Sequence, residues 1–188
     1  MDKKSLSETD IRTKFITPAI QAAGWDMLRQ VREEVTFTAG RIVVRGRLHT
    51  RGTAKRADYV LFHQPNLPLA VIEAKDNKQS VGSGMQQALD YAETLDVPFV
   101  FSSNGDGFVF RDATLATGVL EQNLTLEEFP SPQVLWRRYC TWKGWSDEES
   151  RVAGFDYAPH KTPRYYQLGA VNRAVEAIAA GQNRVLLV

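Results

Sequence analysis

Four apolar residues in succession, Leu69-Ala70-Val71-Ile72, are followed at once by Glu73-Ala74-Lys75. A run this short, apolar at consecutive positions, reads as a central strand buried on both faces of a sheet. Ala57-Asp58-Tyr59-Val60-Leu61-Phe62 reads the same way, and only the turn residues His63-Gln64-Pro65-Asn66-Leu67-Pro68 separate the two. The chain is therefore constrained to a sheet in which these strands are neighbours, and each carries a carboxylate.

The rest of the chain supplies layers for that sheet. Ser7-Glu8-Thr9-Asp10 is a helix start, with Ser7 as cap and a carboxylate three residues on. Ile11, Phe15, Ile16, Ala19, Ile20 and Ala23 recur at helical spacing, Pro18 is placed to bend the helix, and Gly24 to end it. Strands are predicted from Leu28 to Phe37 and at Ile42-Val43-Val44. A helix follows Gly82 and Gly84, carrying Met85, Ala88, Leu89, Ala92 and Leu95. Phe99-Val100-Phe101 and Phe108-Val109-Phe110 form a hairpin across Asn104-Gly105-Asp106-Gly107. This order predicts an α/β fold, a mixed central sheet flanked by helices. Beyond Leu115 the pattern weakens to a helix at Val134–Tyr139, a linker from Trp142 to Pro163, a helix from Gln167, and a strand opening at Arg184. The expected division is a domain over 1–150 and an extension over 151–188. The strand still apolar at Val188 suggests a fragment of something longer.

Of the 188 residues, 43% are hydrophobic and 24% charged, enough to build a core without staples. Cys140 is the single cysteine, so no internal disulfide forms, and His49, His63 and His160 are too scattered for a zinc site. Neither a signal peptide nor an apolar run of membrane-spanning length is visible, so a soluble cytoplasmic protein is expected, with no membrane partner. No G-x-x-x-x-G-K-[ST] occurs, so no ATPase activity is expected of this chain.

Glu73 and Lys75 are two apart on a strand and share a face. An acid and an amine at the polar end of an apolar strand are costly to bury alone. Mg²⁺ between Asp58 and Glu73 resolves that cost, because it takes oxygen ligands and can activate water and neutralise a phosphodiester. Lys75 can then position or deprotonate the water, or stabilise the pentavalent state. Spacing alone fits equally a turn-capping Asp58 and an exposed Glu73–Lys75 pair. Net charge is only +1, yet Arg41, Arg45, Arg47, Arg51, Lys55 and Arg56 fall in one stretch with no acid among them. Such a stretch is either a solvated loop or a contact for a polyanion.

Asp58 and Glu73-Ala74-Lys75 match the pattern of PD-(D/E)xK nucleases, with Ala57 where the name has proline. Together with Ser7-Glu8-Thr9-Asp10-Ile11-Arg12, Gly24-Trp25, Gln86-Gln87-Ala88-Leu89-Asp90-Tyr91, Phe101-Ser102-Ser103-Asn104-Gly105 and Pro163-Arg164-Tyr165-Tyr166-Gln167, the chain resembles the N-terminal nuclease domain of type I restriction enzyme R (motor) subunits. The resemblance implies a restriction-endonuclease-like core over 1–150, then a linker and the start of a helicase-like, RecA-like motor. It implies Asp58, Glu73 and Lys75 as catalytic residues, and Asp58, Glu73 and Glu8 as Mg²⁺ ligands. Gln87 and Tyr91 match a Q-x-x-x-Y element beside the site, and the basic stretch becomes a backbone contact to double-stranded DNA. Gln167 resembles the glutamine that reads the adenine of ATP, in the full-length subunit only. The implied partners are modification and specificity subunits. The implied activity is type I endonucleolytic cleavage after ATP-driven translocation. A stand-alone repair nuclease and a non-catalytic docking module are the alternatives.

Overall fold

The computed structural model describes residues 2–38, 43–45, 48–50, 54–118, 120–155 and 163–186. Ser7 caps α1 (Glu8–Ile11) in a reciprocal box with Asp10, as the spacing predicts. The helix then widens into one π turn, Arg12–Ile16, before α2 (Thr17–Ala22). Pro18 explains the widening: it brings no N–H and its ring crowds the carbonyl four residues back. Thr17 instead donates to Arg12 O, five residues back. Gly24, at φ +91°, ends the segment.

Six strands form the main sheet in the order β1-β4-β5-β6-β7-β8. They are β1 (Val31–Thr38), β4 (Ala54–Phe62), β5 (Pro68–Ala74), β6 (Phe99–Ser103), β7 (Phe108–Asp112) and β8 (Glu121–Leu124), the last not anticipated in its polar sequence. β2 (Val43–Arg45) and β3 (Leu48–Thr50) pair separately. β5 is antiparallel to β4 and parallel to β6, so the sheet is mixed and β5 lies inside it. Both faces are covered. The N-terminal helices and α4 (Pro132–Lys143) bury Ile11, Ile16, Ile20 and Leu135 on one side, against Tyr59, Ile72, Phe101 and Phe110. α3 (Met85–Leu95) and Leu168 of α6 (Tyr165–Ala179) cover the other, against Val60, Val71 and Val100.

Part of the expected linker is helical: Ser146 caps α5 (Asp147–Ala153), and the expected boundary after residue 150 falls inside it. α6 packs on the same body, with Glu176 taking hydrogen bonds from Tyr139 and Lys143, both at 3.0 Å. The strand expected from Arg184 is not formed over residues 184–186. A strand exists only in a ladder, and none of the described residues pairs with this one. Among the described residues no helix is long and apolar enough to cross a membrane.

His63 stacks flat on Trp136 at 3.8 Å, and burial pushes its pKa down to about 4. An imidazole depressed in the fold is neutral there while the unfolded chain takes up a proton near its ordinary 6.5. Stability from this residue is therefore complete above pH 6.5 and is lost as pH falls toward 4. Chemical denaturation at pH 7 and pH 4.5 should show about 1–2 kcal/mol of acid destabilisation that His63→Phe removes; partial solvent access keeps it below the full linkage value.

Candidate active site

β4 and β5 pair from the turn up to Tyr59–Ile72. Beyond that pair β4 continues against β1, and β5 against β6 through Glu73–Ser102 and Ala74–Ser103. Asp58 and Glu73 stand on opposite sides of this fork, one residue past the last shared pair. The fork explains how two acids enter an apolar sheet: here the neighbouring backbone groups are free to bond side chains. Ala74 N donates to Asp58 Oδ2 at 2.8 Å, which fixes the carboxylate.

Asp58 is 6% and Glu73 3% exposed. Lys75 Nζ donates to Glu73 Oε1 at 2.8 Å and to Gln87 Oε1 at 3.1 Å, so the shared strand face exists. Gln87 Nε2 in turn donates to the Tyr91 hydroxyl at 2.6 Å. The i, i+4 pair on α3 thus reaches the lysine through Gln87, while Tyr91 is buried behind it against Phe37.

Electrostatics mark the same group. Burial pushes Glu73 upward; the Lys75 hydrogen bond opposes it, the charges of Asp58 and Glu8 add to it, and the pKa settles at about 7. Burial works against the Lys75 ammonium, but the hydrogen bond and charge of Glu73, with Glu8 and Asp58 behind it, hold its pKa above the lysine value. Glu8 is likewise raised, by burial and then by Asp58. Asp58, Glu73 and Glu8 gather here against Lys75 and the Arg12 guanidinium, and Glu73 Oε2 is buried with no hydrogen-bond partner among the described residues. Hard oxygen donors, one of them orphaned, fit Mg²⁺. Among the described residues no three His, Cys, Asp or Glu side chains stand in metal-holding geometry. Glu8, on the first turn of α1, is thus within electrostatic range without completing a three-acid cage.

Two supporting residues escaped the sequence reading. Arg12 is 7% exposed, with its guanidinium 3.6 Å from Asp58 Oδ1. Its spacing of four from Glu8 is the signal that points to it. Gly84 caps α3 with no room for a side chain: a Cβ there would meet Glu73 Cγ at 2.9 Å and Ser102 Oγ at 3.0 Å. Its φ of −85° suits alanine, so Gly84→Ala acts by contact alone. The expected loss is about 1–3 kcal/mol in denaturant unfolding, together with a displaced Glu73 side chain.

Of the basic stretch, Arg41, Arg47 and Arg51 lie outside the described residues, and Arg45 is placed only as a backbone position on β2. Lys55 lies over the Tyr91 ring at 5.9 Å, and Arg56, mostly exposed, is 3.5 Å from Glu34. Both sit on the half of β4 that leads to Asp58. Gln167 caps α6, its Oε1 accepting from Arg164 N at 3.0 Å.

The family described as the type I restriction enzyme R protein N terminus matches residues 42–117. The endonuclease subunit of the type I restriction enzyme EcoAI from Escherichia coli is 53% identical over all of this chain. The chain spans 24% of that relative's length. A solved fragment assigned as an HsdR subunit of a type I restriction enzyme from Vibrio vulnificus YJ016 superposes with a TM-score of 0.80. It is 40% identical, and the match covers 97% of this chain and 34% of that one.

Proposed function

Because this chain belongs with the N-terminal domains of type I restriction enzyme R subunits, we propose that it is a Mg²⁺-dependent endonuclease domain that hydrolyses DNA phosphodiester bonds. The observation that supports this best is the convergence of two buried carboxylates and one ammonium at the fork, with an unpartnered oxygen on Glu73. Asp58 and Glu73 would hold the metal, with Glu8 a further acid coupled to both by charge. When bound, Mg²⁺ neutralises charge on the phosphodiester and lowers the pKa of water.

The remaining roles belong to the chain. Lys75 donates to Glu73 and Gln87, so it would serve as a donor and a fixed positive charge facing the charge that builds on the phosphate. Gln87 holds Nζ from one side and Tyr91 holds Gln87, which makes the lysine a rigid donor. Lys55 and Arg56, with the basic residues before them, would meet the DNA backbone and supply salt-sensitive, sequence-independent affinity.

In the longer protein, we read this domain as acting after ATP-driven translocation by a motor in which Gln167 contacts adenine, within a cytoplasmic complex with modification and specificity subunits. The lack of a three-acid group among the described residues favours one competitor, a docking module without chemistry. Asp58→Asn separates the two, since it keeps an acceptor for Ala74 N and loses only the charge. Mn²⁺ affinity should fall more than about tenfold, and cleavage by the full-length subunit should disappear. Unchanged DNA binding with no metal response in the wild type would favour docking.

A further inference from the structure

Adjacent residues on a strand point to opposite faces, yet Glu33 and Glu34 of β1 grip one guanidinium. Arg12 Nη2 donates to Glu33 Oε2 at 3.0 Å, and Nη1 to Glu34 Oε1 at 3.1 Å. The backbone makes this convergence. Glu34 has φ +52°, in the left-handed region that disfavours any residue with a side chain. The β1–β4 ladder steps from Glu33–Tyr59 to Val35–Ala57, passing over Glu34 and Asp58, which face each other across the gap. Arg12 itself opens the π turn and lies over the Tyr59 ring at 5.0 Å.

The distances around Arg12 are unequal in a telling way. Its two short hydrogen bonds go outward, to acids that are about half exposed. Toward the buried Asp58 Oδ1 it stays at 3.6 Å, beyond hydrogen-bond length. A guanidinium left beside a buried carboxylate closes into a forked pair and occupies its oxygens. We propose that Glu33 and Glu34 are positioning residues: they hold Arg12 back from Asp58 and keep Asp58 Oδ1 available to a divalent cation. The proposal rests on the reading of Asp58 and Glu73 as metal ligands. It accounts for a strained residue on β1 that touches neither Glu73 nor Lys75.

A double-mutant cycle on the 188-residue chain tests it, with Mn²⁺ affinity followed by electron paramagnetic resonance and folding by thermal melting. Glu33→Gln/Glu34→Gln should weaken Mn²⁺ binding about tenfold when Arg12 is present. In an Arg12→Met background the same pair should change it by less than about twofold, since nothing is left to restrain. An equal loss in both backgrounds is plain removal of negative charge and overturns the inference, as does unchanged affinity in the first. If the wild type binds no Mn²⁺, the metal reading fails and takes this inference with it. Should the Arg12→Met chain not fold, the crystal structure of Glu33→Gln/Glu34→Gly decides instead, glycine being at ease with that backbone. Arg12 closing on Asp58 to hydrogen-bond length is expected, and a guanidinium that keeps its present distance overturns the proposal.

Discussion

A chain carrying Lys75→Ala is expected to fold and to bind Mn²⁺, while the full-length subunit carrying it cuts DNA about a hundred- to ten-thousandfold more slowly. The fold tolerates the change because Lys75 follows the last residue of β5, and its backbone N–H still donates to Ser103 O at 2.8 Å. What is lost is a donor anchored by Glu73 and Gln87 beside the fork. The fixed charge acts on the transition state and little on the ground state, so the loss falls on turnover rather than on DNA binding. Lys75→Arg should not restore the rate. A planar fork cannot take the place of a compact ammonium held between two acceptors. Wild-type cutting by Lys75→Ala would remove this residue from the chemistry.

Proton competition at Glu73 produces the second large effect. Burial, with Asp58 and Glu8 nearby, lifts this carboxyl to about 7. A metal needs the anion, so proton and cation compete for one group. The sign follows: Mn²⁺ affinity should level off above pH 7 and fall about tenfold for each pH unit below it. An ordinary carboxylate would keep full affinity down to about pH 5. Calorimetric titration between pH 5.5 and 8.5 measures the slope, and Glu73→Gln should abolish binding throughout. A flat profile would mean that this carboxyl is not raised, and unchanged binding in Glu73→Gln would mean that Glu73 is not a ligand. The raised pKa also bears on the metal-free fold. Its stability from this group is present below pH 4.5 and is lost as pH rises through 7, so divalent ions should raise the melting temperature more at pH 8 than at pH 6.

The central strands were legible because their signal is local: an apolar run bounded by turn residues and ended by Glu73 admits few other readings. The helix over Met85–Leu95 and the hairpin of Phe99–Ser103 and Phe108–Asp112 were visible for the same reason. Glu121–Leu124 was not, since a polar edge strand exists only through its pairing with β7. The 147–153 helix hid in a segment whose caps and charges also suit a linker. At the site, the meeting of Glu73 with Lys75 follows from strand period, and the reach of Gln87 from helix spacing. Arg12, Glu33 and Glu34 could not be grouped that way. Their contact depends on a π turn, a left-handed glutamate and a gap in the ladder, each of which is a tertiary event.

The most direct test of the site is a crystal of the chain soaked in Mn²⁺ and measured at an anomalous wavelength. We predict a peak between Asp58 and Glu73, about 2.0–2.2 Å from a carboxylate oxygen of each, with Glu73 Oε2 among the ligands. Full occupancy elsewhere on the molecule with no peak at the fork, or a peak ligated by neither acid, would contradict the account.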